Sequence, residues 1–283
     1  MSVQVSHVFA EALTYSVAAK VADSSILVSP LVTRAIGIHV YEVQTDWLNP
    51  GKNVLVVGAS STDDNVTLKI ANNPDYVKVK INEKENDIKY RFRTDSDVSR
   101  IVVYGQAGDD KLTVEDGMAI PTWLYGGLGN DKLKGGDGAD VLLGGDGDDA
   151  LVGNEGRDLL IGGRGADKIK GSDGDDILVA GYTAHDASDV ALLAIMDEWN
   201  SSRTYSQRVN NLRNGSGTAS RQNGSVFLSD ATTFDDGVED VLTGENGFDW
   251  YLLNSDGGHG SKKDRITDAS CSEFQDDIDF WNG

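Results

Sequence analysis

Between residues 126 and 179 the chain reads GGLGNDKLK GGDGADVLL GGDGDDALV GNEGRDLLI GGRGADKIK GSDGDDILV, six nonamers without a gap. Glycine opens each unit and returns at the fourth place, aspartate holds the sixth, and an aliphatic residue holds the eighth. Glycine reaches positive φ freely, so the GGxGx part turns tightly and brings backbone carbonyls inward. The last three residues are extended, and alternation sends the eighth side chain to one face and its neighbours to the other. A nonamer is too short to bury a core alone and is stabilised by stacking on the next. Two nonamers then make one coil, with odd units in one sheet, even units in the other, and the eighth residues between them. Turns on one side stack at about 4.8 Å per rung, so their aspartates repel unless a cation lies between them.

The sixth-place aspartates are Asp131, Asp140, Asp149, Asp158, Asp167 and Asp176, and the eighth-place residues are Leu133, Leu142, Leu151, Leu160, Ile169 and Leu178. A further unit, GQAGDDKLT at 105–113, carries Asp110. The pattern G-G-x-G-x-D-x-U-x is that of a stacked β-structure, and it resembles the hemolysin-type, or RTX, calcium-binding repeat. The resemblance implies an all-β chain built on a parallel β-roll, a calcium-stapled β-solenoid, with each ion between turns of neighbouring coils on one side. It would place Asp131, Asp149 and Asp167 on one edge and Asp140, Asp158 and Asp176 on the other. Asp110 joins the first edge if 114–125 counts as one half-coil. The turns expected to hold several Ca2+ ions also comprise Gly126, Gly127, Gly129, Gly135, Gly136, Gly138, Gly144, Gly145, Gly147, Gly153, Gly156, Gly162, Gly163, Gly165, Gly171 and Gly174. Asn154 and Ser172 replace second glycines, and Arg157 sits beside Asp158; these departures weaken one or two sites without breaking the fold.

Charge and composition point the same way. The formal charge is −21, from 46 acidic and 25 basic side chains, which argues against nucleic acid or an anionic membrane as the main partner. Calcium suits a slot between stacked aspartates because it takes six to eight oxygens in flexible geometry. The single cysteine, Cys271, excludes an intrachain disulfide, and a metal is the usual substitute in a secreted chain. No apolar run approaches the roughly 20 residues of a membrane span. The start, MSVQVSHVFAEALTYSVAAK, lacks the basic and apolar regions of a Sec-type signal peptide. The expectation is export by a route that needs none, or excision from a larger precursor. EF-hand, GxxxxGK[ST], HExxH and GxSxG patterns are absent. His7, His39, His185 and His259 are scattered and read as structural, so the chain is not read as an enzyme.

The outward places differ between the two sheets. Even units put Val141, Leu143, Leu159, Ile161, Ile177 and Val179 outside, whereas odd units put Lys132, Lys134, Ala150, Val152, Lys168 and Lys170 there, with Lys111 upstream. So large an exposed apolar patch needs a cover. The segment after GYTAH predicts two helices: one capped by Ser188 with a Leu192, Ile195, Met196, Trp199 stripe, another capped by Ser202 with Tyr205, Val209 and Leu212, closed by Gly215. The alternative cover is a partner or a neighbouring domain. The lysine face has two readings as well: a stripe recognising anionic polysaccharide or a cell-surface glycan, and a solvated sheet face kept from aggregating by charge.

Five regions follow: a terminal segment or cap at 1–50, strands at 51–104, the roll at 105–181, a helical segment and polar loop at 182–230, and degenerate turns with a cap at 231–283. Strands are expected at NVLVVGA, NVTLKI, YVKVKI, DIKYRFR and SRIVVYG, and Asp64 with Val66 echoes the repeat. Downstream, Asp240 with Leu242 and Asp249 with Tyr251 restore the pattern, and Asp264 with Ile266, then Asp277 or Asp279, are fading echoes. Phe248, Trp250, Tyr251 and Trp281 read as an apolar C-terminal cap or as a sugar-stacking platform. In the RTX family the repeats fold outside the cell, where calcium is plentiful. The resemblance therefore implies a module of an exported bacterial protein, extracellular or on the cell surface, serving secretion, stability or attachment. A carbohydrate-binding or adhesive module is the alternative, and an ancillary domain of a secreted hydrolase or epimerase a second one.

Overall fold

The computed structural model describes residues 40–73, 76–82, 98–257, 262–270 and 272–278. Residues 1–39, the DIKYRFR strand at 87–93, His259, Cys271, Asp279 and Trp281 lie outside the described residues.

Strand formation follows the repeat. The nonamers give β8 (Lys132–Lys134), β9 (Val141–Asp146), β10 (Ala150–Glu155), β11 (Leu159–Arg164), β12 (Lys168–Asp173) and β13 (Ile177–Val179). Upstream lie β5 (Val98–Ala107), β6 (Lys111–Val114) and β7 (Thr122–Leu128). From β5 to β13 successive strands alternate between the two sheets. Pairing is parallel and in register with the repeat: Leu133, Leu151 and Ile169 stand in one row, and Leu124, Leu142, Leu160 and Leu178 in the other. Both rows point into one core and are almost completely buried. Each leucine so buried contributes roughly 1.5–3 kcal/mol.

The same two sheets continue past the nonamers at both ends. β1 (Val40–Thr45) and β2 (Asn53–Gly58) extend the first sheet, and β3 (Asn65–Ile70) and β4 (Val77–Ile81) the second. The β1–β2 and β3–β4 pairs are antiparallel, in contrast to the parallel ladders between them. Residues 114–125 do form one half-coil: Thr122 takes the aspartate's place, its N–H donating to Asp140 Oδ1 at 2.6 Å. Beyond the insertion, β16 (Val241–Asn246) pairs with β12, β17 (Trp250–Leu253) with β13, β18 (Arg265–Ile266) with β16, and β19 (Phe274–Asp277) with β17. Leu242 aligns with Ile169 and Tyr251 with Leu178, so the core column resumes where it stopped. Asp277 does not extend the aspartate row as expected. Phe274 pairs with Trp250, which carries Asp277 up beside Leu253 within the strand.

The insertion opens and closes with a short antiparallel ladder, β14 (Tyr182–Thr183) on β15 (Thr233–Phe234). Between them lie α1 (Asp189–Trp199) and α2 (Tyr205–Asn214). Ser188 caps α1 as expected, and Gly215, at φ 77°, closes α2. The second cap is Thr204 rather than Ser202. Thr204 has Gln207 three places on, and the two side chains exchange bonds with each other's backbone N–H in a capping box, which Ser202 cannot form. Leu192, Ile195, Met196, Trp199, Val209 and Leu212 bury against Val141, Leu143, Leu159, Ile161, Ile177 and Val179, the apolar outer face of the first sheet. That face is covered by the chain's own helices. The lysine face of the second sheet stays open, with Lys111, Lys132 and Lys168 exposed.

Candidate metal centre

The turns between strands line up in two rows, one on each edge of the sheet pair. In each row an aspartate N–H donates to Oδ1 of the aspartate one coil further on. The first row runs Asp64, Asp110, Asp131, Asp149, Asp167, Asp240 and Asp264, with bonds of 2.7–2.9 Å. The second runs Asp140, Asp158, Asp176 and Asp249, with bonds of 2.8–2.9 Å. The two edges therefore carry the aspartates expected of them, and Asp110 belongs to the first.

The second carboxylate oxygens behave differently. Oδ2 of Asp110, Asp131, Asp149, Asp158, Asp167, Asp176, Asp240 and Asp249 is buried and accepts no hydrogen bond. A buried acceptor left without a donor costs the full desolvation of that group. Three of the four row ends are satisfied instead: Asp140 Oδ2 accepts from Gly136 N–H at 2.7 Å, Asp64 Oδ2 from Ser60 N–H at 2.6 Å, and Asp264 Oδ2 from Asn254 N–H at 2.8 Å. The interior positions and the fourth end, Asp249, lack a protein donor at Oδ2.

The first glycine of each unit makes room for this arrangement. A Cβ on Gly126 would collide with Asp131 Oδ2 and stand 2.5 Å from the Gly144 carbonyl oxygen. On the other edge a Cβ on Gly153 would collide with Asp158 Oδ2 and stand 2.7 Å from the Gly171 carbonyl oxygen. Carboxylate and carbonyl oxygens thus face one small space that no side chain can enter. At the second place Asn154 and Ser172 hold φ 79° and 92°, so the turn keeps its shape there at some backbone strain.

Burial raises the carboxylate pKa values ahead of every other cause. Asp131 rises to about 6, Asp149 and Asp249 to about 7, Asp110 and Asp167 to about 8, and Asp240 to about 9. Asp158 and Asp176 are pushed well above the usual carboxylate range, with neighbouring aspartates adding to the effect of burial. Without a metal, burial therefore disfavours the charged form of every one of these carboxylates, most at Asp240 and least at Asp131 among those with a value. An oxygen-only donor set, rich in carbonyls and short of hydrogen-bond donors, fits a hard cation such as Ca2+. No group of three or more His, Cys, Asp or Glu side chains suited to a metal occurs among the described residues, so main-chain oxygens have to complete any such site.

The second edge also carries the helical cover. Trp199 Nε1 donates to the Asp175 carbonyl at 2.7 Å, Tyr205 Oη to the Asp249 carbonyl at 2.6 Å, and Arg208 pairs with the Asp175 carboxylate. Arg157 donates to the Ser201 carbonyl at 3.2 Å instead of entering the aspartate row. Nothing in the nonamer pattern signals these contacts, since they depend on where the helices dock.

Other candidate residues separate. Trp250 and Tyr251 are fully buried, the first beside Trp199 at 6.3 Å between ring centroids, the second in the core between the sheets. Phe248 alone of those three is exposed, and it stacks on Tyr205 at 5.6 Å. Phe248, Trp250 and Tyr251 therefore form no shared sugar-stacking face. Lys134 pairs with Asp116 and Lys170 with Glu245, both at 2.9 Å. His185 Nε2 lies 2.8 Å from the Phe227 carbonyl, a structural contact within the insertion. Among the described residues no helix is long and apolar enough to cross a membrane.

Comparison with curated proteins and with solved structures returns no match. Comparison with family models returns one for the RTX calcium-binding nonapeptide repeat, at residues 122–151 and 152–181. The matched residues include the glycine turns and Asp131, Asp140, Asp149, Asp158, Asp167 and Asp176, so over 122–181 the chain matches the RTX calcium-binding nonapeptide repeat, and the row positions Asp64, Asp110, Asp240, Asp249 and Asp264 lie outside the match.

Proposed function

We propose that the chain is a calcium-dependent folding module, a parallel β-roll held along both edges by Ca2+, belonging to an exported bacterial protein. The observation that carries this reading is the set of buried aspartate Oδ2 atoms without a donor, set against carbonyl oxygens at glycines that admit no side chain. Asp110, Asp131, Asp149, Asp167 and Asp240 would hold calcium along one edge, and Asp158, Asp176 and Asp249 along the other. Bound there, the ion offsets the repulsion between stacked carboxylates and turns binding free energy into folding free energy. Extracellular calcium modules bind at about 10⁻⁴–10⁻³ M. Such affinity leaves the chain unfolded where calcium is scarce and folded outside the cell. RTX-repeat proteins are typically extracellular, and the role of such a module is secretion, stability or surface attachment.

Calcium titration followed by far-ultraviolet circular dichroism tests the reading, with magnesium as the control. The β signal should rise with millimolar calcium, fail to rise with magnesium, and disappear on chelation. A β signal indifferent to chelator would refute calcium-driven folding.

A second reading rests on the lysine face. Lys111 and Lys132 are neighbours in register and Lys168 lies two rungs on, an open cationic row on an acidic protein suited to a linear anionic polysaccharide. Glycan binding unchanged in the Lys111→Gln, Lys132→Gln, Lys168→Gln variant would remove it.

A further inference from the structure

The insertion leaves and rejoins the stacked strands in the middle of a turn. Read without residues 182–236, the chain would run AGGVEDVLT, with aspartate at the sixth place and leucine at the eighth. Ala180 and Gly181 occupy the first two places of that turn. The Ala180 carbonyl oxygen lies 2.6 Å from where a Cβ on Gly162 would be, and the Gly181 carbonyl accepts from Gly163 N–H at 3.0 Å. The sixth place is Asp240, whose Oδ1 accepts from Asp167 N–H at 2.7 Å. One turn is therefore assembled from two distant segments, and the returning segment brings two residues beyond the repeat, Asp235 and Asp236.

Asp236 is accounted for: Oδ1 accepts from Val238 N–H at 2.9 Å and Oδ2 from Gly165 N–H at 2.6 Å. Asp235 is not. It is 0% exposed, its Oδ2 accepts from Asn254 Nδ2 at 2.9 Å, and its Oδ1 has no donor. Asn254 N–H in turn serves Asp264 Oδ2 at 2.8 Å, and Asp264 Oδ1 accepts from Asp240 N–H at 2.9 Å. Among the described residues no Lys or Arg forms a salt bridge with any of these carboxylates. A fully buried carboxylate with a bare oxygen, in surroundings that already hold Asp236, Asp240 and Asp264, is uncompensated unless a positive charge lies beside it.

We propose that this split turn is a calcium-class cation site outside the nonapeptide pattern, with Asp235 Oδ1 as a carboxylate ligand, and that the ion fastens the two ends of the helical insertion together. The ligand class follows from the donors, which are oxygens alone. The consequence follows from position: Gly181 and Asp235 are the feet of the Tyr182–Thr183 and Thr233–Phe234 ladder, from which both covering helices hang. This inference rests on the calcium reading above and adds to it a site that the repeat does not contain.

Two measurements test it. Asp235→Asn keeps an oxygen for the Asn254 bond and removes the charge, and isothermal calorimetry with calcium should find one ion fewer than in the parent. Asp149→Asn, in the middle of the first row, serves as the comparison and should also lose one ion. Unchanged stoichiometry and affinity in Asp235→Asn, with a loss in Asp149→Asn, would overturn the proposal. The second measurement needs no variant: a crystal of the parent chain grown with calcium or terbium, examined for anomalous scattering. A peak about 2.3–2.6 Å from Asp235 Oδ1 is expected. Peaks along the aspartate rows with none at Asp235 overturn this site, and no peaks anywhere overturn the calcium reading itself.

Discussion

An aspartate of the interior rows has two oxygens with opposite duties. Oδ1 of Asp149 accepts the Asp131 N–H at 2.7 Å, while Oδ2 has no donor. Asp149→Asn keeps the first and abolishes the second as a charged ligand. In calcium at a hundredfold excess over Kd, the variant should lose about 2.7 kcal/mol of ligand stabilisation. In chelator at pH 8 it should be no less stable than the parent, because a buried charge has gone. Urea denaturation under both conditions checks this change of sign, and equal losses in both would contradict it. The pH dependence follows from the same oxygens. Folding raises these pKa values, so the metal-free folded form binds more protons than the unfolded chain. Their contribution is complete below about pH 4 and is lost as pH climbs through about 6 at Asp131, about 7 at Asp149 and about 9 at Asp240. The metal-free chain should therefore gain β signal on acidification, and the calcium midpoint should fall between pH 6 and 8. Circular dichroism in chelator across this range gives the first, and calcium titrations at the two pH values the second. The motif made these residues legible, because the fixed spacing of Gly and Asp is itself the turn. The capped ends of the rows were not, since Asn254 and Ser60 approach Asp264 and Asp64 only in three dimensions.

At the scale of elements, the asymmetry between KLK, VLL and ALV decides packing. The apolar outer face of the first sheet and the stripe on α1 are both periodic in the sequence, and burial is the only arrangement that satisfies both. Trp199 is the keystone, fully buried beside Trp250 and bonded to the Asp175 carbonyl. Trp199→Ala should cost about 3–5 kcal/mol in calcium-saturated protein, as read from thermal or urea unfolding. Thr204→Ala should cost about 1 kcal/mol, whereas Ser202→Ala should be near neutral. The capping box accounts for the difference: Gln207 stands three places after Thr204, a spacing the sequence itself carries, whereas Tyr205 holds that place after Ser202.

For the molecule as a whole, the insertion is a detour that leaves the stacking register intact. β12 and β13 pair with β16 and β17 as though residues 182–236 were not there. Deleting that segment should preserve calcium-dependent β signal, because AGGVEDVLT completes a nonamer. The same deletion bares the apolar face under the helices, so the product should self-associate. Size-exclusion chromatography with light scattering reads this out, and a soluble monomer would show that the face needs no cover.

The sequence by itself determined the turns, the alternation of strands between two sheets, the core column and the sidedness of the outer faces. All of these follow from a nine-residue period, in which neighbours in space are fixed intervals apart in the chain. Only the tertiary structure decided what ends the aspartate rows, where Arg157, Arg208 and Tyr205 reach, and that a turn of the first row is built from Ala180–Gly181 and Asp240 together. These contacts join residues with no periodic relation, and their partners are set by the path of the insertion rather than by local preference. Asp235 shows the difference most plainly. In the sequence it is one acid among 46, and folding alone makes it a buried carboxylate with an oxygen left for a cation.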